Sequence, residues 1–228
     1  MGMDGIGGVG ALNVSSQTRV TRPQSEMVDV NTGSTAGQQQ VQVASLPPVG
    51  GKFNIEVQDN WRNALSYNLP IDELMAVMEN AINTGYTFAW GADVSEQGFT
   101  RDGVAVCPDA EKGAELTGSD MARWLGMSQA DKRKELTSKP LPEITVTQEM
   151  RQEAFDNWET TDDHGMVIYG IAKDQNGKEY FMVKNSWGTE GKYKGIWYAS
   201  KAFAAYKTMN ILVNKHAIPA DIAKKLGL

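Results

Sequence analysis

At 228 residues and 41% hydrophobic content, the chain can bury one substantial core or two small ones and has the composition of an ordinary globular protein. A net charge of -6 without a lysine or arginine run argues against nucleic-acid binding. One cysteine excludes an internal disulfide and a cysteine-based zinc site, two distant histidines make no metal cluster, and no apolar stretch approaches the ~20 residues of a membrane span.

Residues 1–52 carry no tryptophan, tyrosine or phenylalanine before Phe53 and are rich in Gly, Ser, Thr and Gln, a composition that offsets little ordering entropy. They are expected to form a flexible, disordered leader that precedes a domain at 53–228. Gly5, Gly7 and Gly10 fit a Gly-x-Gly-x-x-Gly spacing, but four preceding residues supply no strand for a dinucleotide site. No cofactor is expected.

From Phe53 the pattern changes. Phe53, Ile55 and Val57 alternate with polar residues as in a strand. Pro70 is placed as a first helical residue, followed at helical spacing by Ile71, Leu74, Met75, Met78 and Ile82, and Gly85 is placed to end that helix. A strand follows over 86–92, with Tyr86, Phe88 and Trp90 on one face. The stretch 98–142 is richer in Gly, Pro and charge and is read as a surface excursion with helices near 119–125 and 130–136. Another helix is expected over 148–158.

Beyond residue 163 the pattern is mostly β. A strand over 166–171 and a return strand over 180–183 flank Asp174-Gln175-Asn176-Gly177, which has hairpin-turn chemistry. A loop longer than a two-residue Asn176-Gly177 turn sets His164 opposite Asn185, because these positions are symmetric about the point between Asp174 and Gln175. A strand over 195–199, a short helix capped by Ser200, a strand over 209–213 and an amphipathic helix bearing Ile218, Ile222 and Leu226 complete the chain.

His164 and Asn185 carry the chemistry. A neutral imidazole that donates one ring N–H to a polar partner keeps its other nitrogen free to take a proton near neutral pH. Asn185 is that partner, and Trp187, two residues on, shields the bond from water. Such a base serves a thiol nucleophile. Cys107 is a poor candidate for it, since Asp109 and Glu111 oppose a thiolate.

Asp59-Asn60-Trp61, Ser66-Tyr67-Asn68-Leu69-Pro70, Asp93-Val94-Ser95-Glu96, Gln148-Glu149-Met150-Arg151-Gln152, Asp162-Asp163-His164-Gly165-Met166 and Val183-Lys184-Asn185-Ser186-Trp187-Gly188 together resemble the bleomycin hydrolase and aminopeptidase C branch of the papain-like cysteine peptidases. The resemblance runs from about residue 53 to 228. It implies an α+β papain-like fold, here its β-rich, barrel-like C-terminal half with flanking helices, and a thiol aminopeptidase acting on peptides through a thioester. His164 is then the catalytic histidine, Asn185 its orienting partner, Trp187 the shield, and Leu228 the bearer of a terminal carboxylate that meets the substrate's amine. A six-subunit ring, in which His216 and the tail meet neighbours, and a cytoplasmic setting also follow from the resemblance. The family's cysteine-bearing helical half has no counterpart in residues 1–52, so the chain is expected to be truncated or fused behind an unrelated leader and inactive alone. The alternative is a non-cleaving module that keeps the fold and binds peptides or partners.

Overall fold

A computed structural model of the chain describes residues 19–20, 40–46, 51–55, 65–96, 98–109, 126–128, 130–131 and 142–228. The glycines at 5, 7 and 10, the Asp59-Asn60-Trp61 motif, the helix expected at 119–125 and most of that at 130–136 lie outside the described residues.

Among the described residues ten strands form one mixed sheet. Nine follow the order β3 (Lys52–Asn54), β4 (Leu65–Asn68), β2 (Gln40–Ala44), β10 (Thr208–Asn214), β5 (Phe88–Ala92), β7 (His164–Lys173), β8 (Glu179–Lys184), β9 (Ile196–Ser200) and β6 (Val104–Ala105), while β1 (Arg19–Val20) pairs beside β7. Most neighbours are antiparallel; β2 runs parallel to β4, and β6 to β9.

The leader expected through residue 52 is corrected here. Gln40–Ala44 is an interior strand held between β10 and β4, and its Val41, Val43 and Ala44 are buried, as is Leu46 beyond it. Gln-Val-Gln-Val is itself a period-two strand pattern, with valines inward and glutamines outward. Arg19–Val20 joins the sheet as well, opposite Ile171 and Gly170. A boundary at residue 52 therefore cuts through the sheet.

The helix after Pro70 forms as α1 (Ile71–Asn83), with Leu74, Val77, Met78, Ala81 and Ile82 buried in the same core as Trp90, Ile168, Phe181 and Ile211. Pro70 occupies the cap position rather than the first helical one. At the other end Gly85 adopts φ +90°, and its N–H and that of Tyr86 bond to Ile82 O and Ala81 O, a left-handed C-terminal closure that favours glycine. Tyr86 thus belongs to the helix closure, and the following strand begins at Phe88.

Helix α2 (Gln148–Asp156) is capped by Thr147, whose side chain accepts from Met150 N. It stops two residues before the expected end because Trp158 turns to φ 66° and leaves its indole 76% exposed. From its buried face Arg151 donates to the carbonyls of Ser45, Ala205, Tyr206 and Thr208, joining the end of β2 to helix α3 (Lys201–Lys207). Ser200 caps α3 as its sequence position indicates, accepting from Phe203 N. After a 3-10 turn at Lys215–Ala217, helix α4 (Ala220–Leu226) sets Ile222 into the main core and ties Lys225 to Glu73 of α1.

Candidate active site

The hairpin loop is the longer one: residues 174–178 join Lys173 to Glu179, which pair directly. Buried Asp174 organises it, its Oδ1 accepting from Asn176 N and Lys178 N, while Gly177 takes φ +82°. The register differs from the direct opposition of His164 and Asn185. Ile171 faces Phe181, but after an irregularity between Ile168 and Gly170 the pairs become Ile168 with Val183 and Val167 with Lys184. Continued, that register sets Asn185 opposite Met166, two residues from His164 and on its face of the sheet. The bulge decides this, because the unshifted register would set Asn185 opposite Val167 on the other face.

The two side chains consequently meet. His164 Nε2 lies 2.8 Å from Asn185 Oδ1, and the same oxygen accepts from Ser186 N at 2.7 Å. A backbone N–H only donates, so the shared atom is the amide oxygen, and His164 Nε2 must then carry the proton. The neutral ring leaves Nδ1 bare. Asn185 is 2% exposed, and its Nδ2 is buried without a partner among the described residues.

Trp187 covers the pair, its ring 4.9 Å from that of His164. Sequence reading singled out Trp187 but missed its mount: Phe99 and Trp197 meet its ring edge-on at 5.7 and 5.6 Å and stack on each other. Trp197 is fixed in turn by its indole N–H, which donates to Thr100 O. Trp187 itself is 47% exposed, so the roof is open on its outer side. The loop that carries it closes where Asn185 N bonds to Gly195 O. Gly195 has φ +83°, and a Cβ there would run into the carbonyl oxygen of Gly188. Gly195→Ala is expected to cost about 1–2 kcal/mol from the left-handed backbone alone and to displace Trp187. Thermal unfolding and tryptophan fluorescence check both effects.

Cys107 carries a thiol whose ionisation its surroundings disfavour. It is partly buried just beyond β6, its N–H bound to Glu143 Oε1 and its carbonyl to Ile144 N. Burial first, then the Glu143 carboxylate, pushes its pKa from 9.0 up to about 12, with Lys207 opposing. The reactive thiolate is accordingly scarce. Such a shift lowers the thiolate fraction at pH 8 roughly a thousandfold. Iodoacetamide is therefore expected to label native Cys107 far more slowly than the unfolded chain, by mass spectrometry.

The other singled-out residues lie apart from this pair. Leu228 is exposed beyond α4, after Gly227 at φ +69°, and His216 is exposed in the 3-10 turn. Among the described residues no group of three His, Cys, Asp or Glu side chains is placed to hold a metal, and no helix is long and apolar enough to cross a membrane.

Residues 116–227, which include His164, Asn185 and Trp187, match the sequence model of the Peptidase C1-like family. Over that stretch the chain is similar to this family. It is 23% identical over 175 residues to aminopeptidase C of Lactobacillus helveticus, covering 75% of this chain and 33% of that protein. A 34-residue stretch is 48% identical to cathepsin L1 of Drosophila melanogaster, covering 15% of this chain and 9% of that one. The crystal structure of PepW from Lactobacillus rhamnosis HN001 matches the fold with a TM-score of 0.54 at 20% identity, over 82% of this chain and 37% of that one. The fold is therefore papain-like. The chain spans about a third of the length of aminopeptidase C and of PepW.

Proposed function

We propose that the chain is the histidine- and asparagine-bearing part of a thiol aminopeptidase of the bleomycin hydrolase type. The observation that carries the reading is the His164–Asn185 bond, whose acceptor is identified by the Ser186 N–H. Nδ1 of His164 takes the proton of a thiol supplied from outside these residues, and the thiolate attacks the peptide carbonyl. The imidazolium then returns that proton to the leaving amine, and water hydrolyses the thioester with His164 again as base. Asn185 holds the ring in one tautomer throughout, and Trp187 limits water at their bond. Leu228 supplies a carboxylate for the substrate's free amine in a six-subunit assembly, and the setting is cytoplasmic.

The test is release of N-terminal residues from aminoacyl-coumarin substrates by the purified chain, alongside His164→Ala and Cys107→Ala. The chain alone is expected to release none. Turnover lost in both variants would make Cys107 the nucleophile and overturn the reading.

A further inference from the structure

Ala92, the last residue of β5, pairs directly with His164, the first of β7. The segments that leave this pair are cross-stapled by two aspartates. Asp93 Oδ2 accepts from Thr161 N at 3.2 Å, and Asp163 Oδ1 accepts from Val94 N at 3.0 Å. The second oxygen of Asp93 takes both Ser95 N and Ser95 Oγ, so its carboxylate is fully engaged. Asp93 is completely buried, a position that a carboxylate holds only with a counter-charge. Lys207, itself 2% exposed, supplies it: Nζ lies 4.0 Å from Asp93 Oδ2 and donates to Glu159 O and Thr160 Oγ1, and it pairs also with Glu96. The backbone closes the same contact, Asp93 N donating to Lys207 O.

We propose that Asp93, with Lys207 as its counter-charge, is a positioning residue for His164, fixing the 161–163 backbone so that the Asp163 carboxylate stands beside the imidazole and answers to the charge on Asp93. This rests on the reading of His164 as the base. The ring would then be set from two sides, by Asn185 through its Nε2 and by the staple through its backbone. Partial burial, then the neighbouring Asp93, raises the pKa of Asp163, against the pull of the Val94 N–H and of His164. Of the other charged groups here, Asp162 is bound to Asn210 of β10, and Glu96 and the Cys107 thiol lie on the Lys207 side.

NMR titration of the full chain tests this without any catalytic assay, since the two histidines give separable ring signals and exposed His216 serves as control. In the wild-type chain the amide of Val94, whose N–H bonds Asp163 Oδ1, is expected to report an acid-limb step of Asp163, and the His164 ring should sense the same step. Asp93→Asn should move that step to lower pH, and Asp163→Asn should remove it from the His164 curve. A Val94 step that His164 does not sense, or one that Asp93→Asn leaves in place, overturns the proposal. If Asp93→Asn fails to fold, the wild-type curves decide alone. Shared steps in a chain whose His164 proves dispensable to the complete enzyme would keep the staple and sink the base, so the two readings fail separately.

Discussion

Arg151→Met is expected to cost about 4 kcal/mol of stability. Its guanidinium donates to four carbonyls, of which Ala205, Tyr206 and Thr208 lie at the C-terminal end of α3, where a helix leaves its carbonyls unsatisfied and its dipole negative. The fourth, Ser45 O, follows β2. Methionine fills the space yet donates nothing, so buried acceptors lose partners at about 1–3 kcal/mol each, partly recovered by relaxation. Arg151→Lys keeps the charge but not the planar fork and should fall between the two. Removing the exposed Lys173–Glu179 pair with Lys173→Ala should change stability by less than about 1 kcal/mol. Urea unfolding of the three variants checks the ranking. A loss below about 1 kcal/mol for Arg151→Met would mean that these carbonyls find other donors.

His164→Ala, placed in the complete enzyme that supplies the thiol, is expected to lower kcat/KM about 10³-fold, and Asn185→Ala about 10²-fold. The ranking follows from what each residue does. Without His164 no positioned group takes the thiol proton or returns it to the leaving amine. Without Asn185 the ring survives but samples both tautomers, so only part of the population presents a bare Nδ1. The loss on Asn185→Ala should fall on kcat more than on KM, because Asn185 is buried behind the histidine. A change confined to KM would instead make it a binding residue.

Much of this arrangement was legible in the chain. The helix after Pro70, the cap at Ser200 and the two hairpin strands followed from period, capping chemistry and a loop rich in Asp, Asn and Gly. The motif residues His164, Asn185 and Trp187 do come together, but the bulge near Tyr169 that puts the first two on one face has no local signature. An extra residue in an apolar run looks like any other, and the shift costs little sequence information while reversing every side chain beyond it. The strand at Gln40–Ala44 was lost for a different reason: a polar, glycine-rich composition outweighed five residues of clear alternation. Asp93 stands in one of the motifs of the resemblance but without a role, and Lys207 gave no signal, because the burial of both depends on contacts far along the chain.

Long-range ¹⁵N correlation of the His164 imidazole, at a pH where the ring is neutral, reads directly whether Asn185 holds it as a base with Nδ1 bare. A proton on Nε2 and none on Nδ1 is expected in the wild-type chain, with a mixture of the two tautomers in Asn185→Ala. A proton on Nδ1 in the wild-type chain, or a tautomer indifferent to Asn185→Ala, would contradict this.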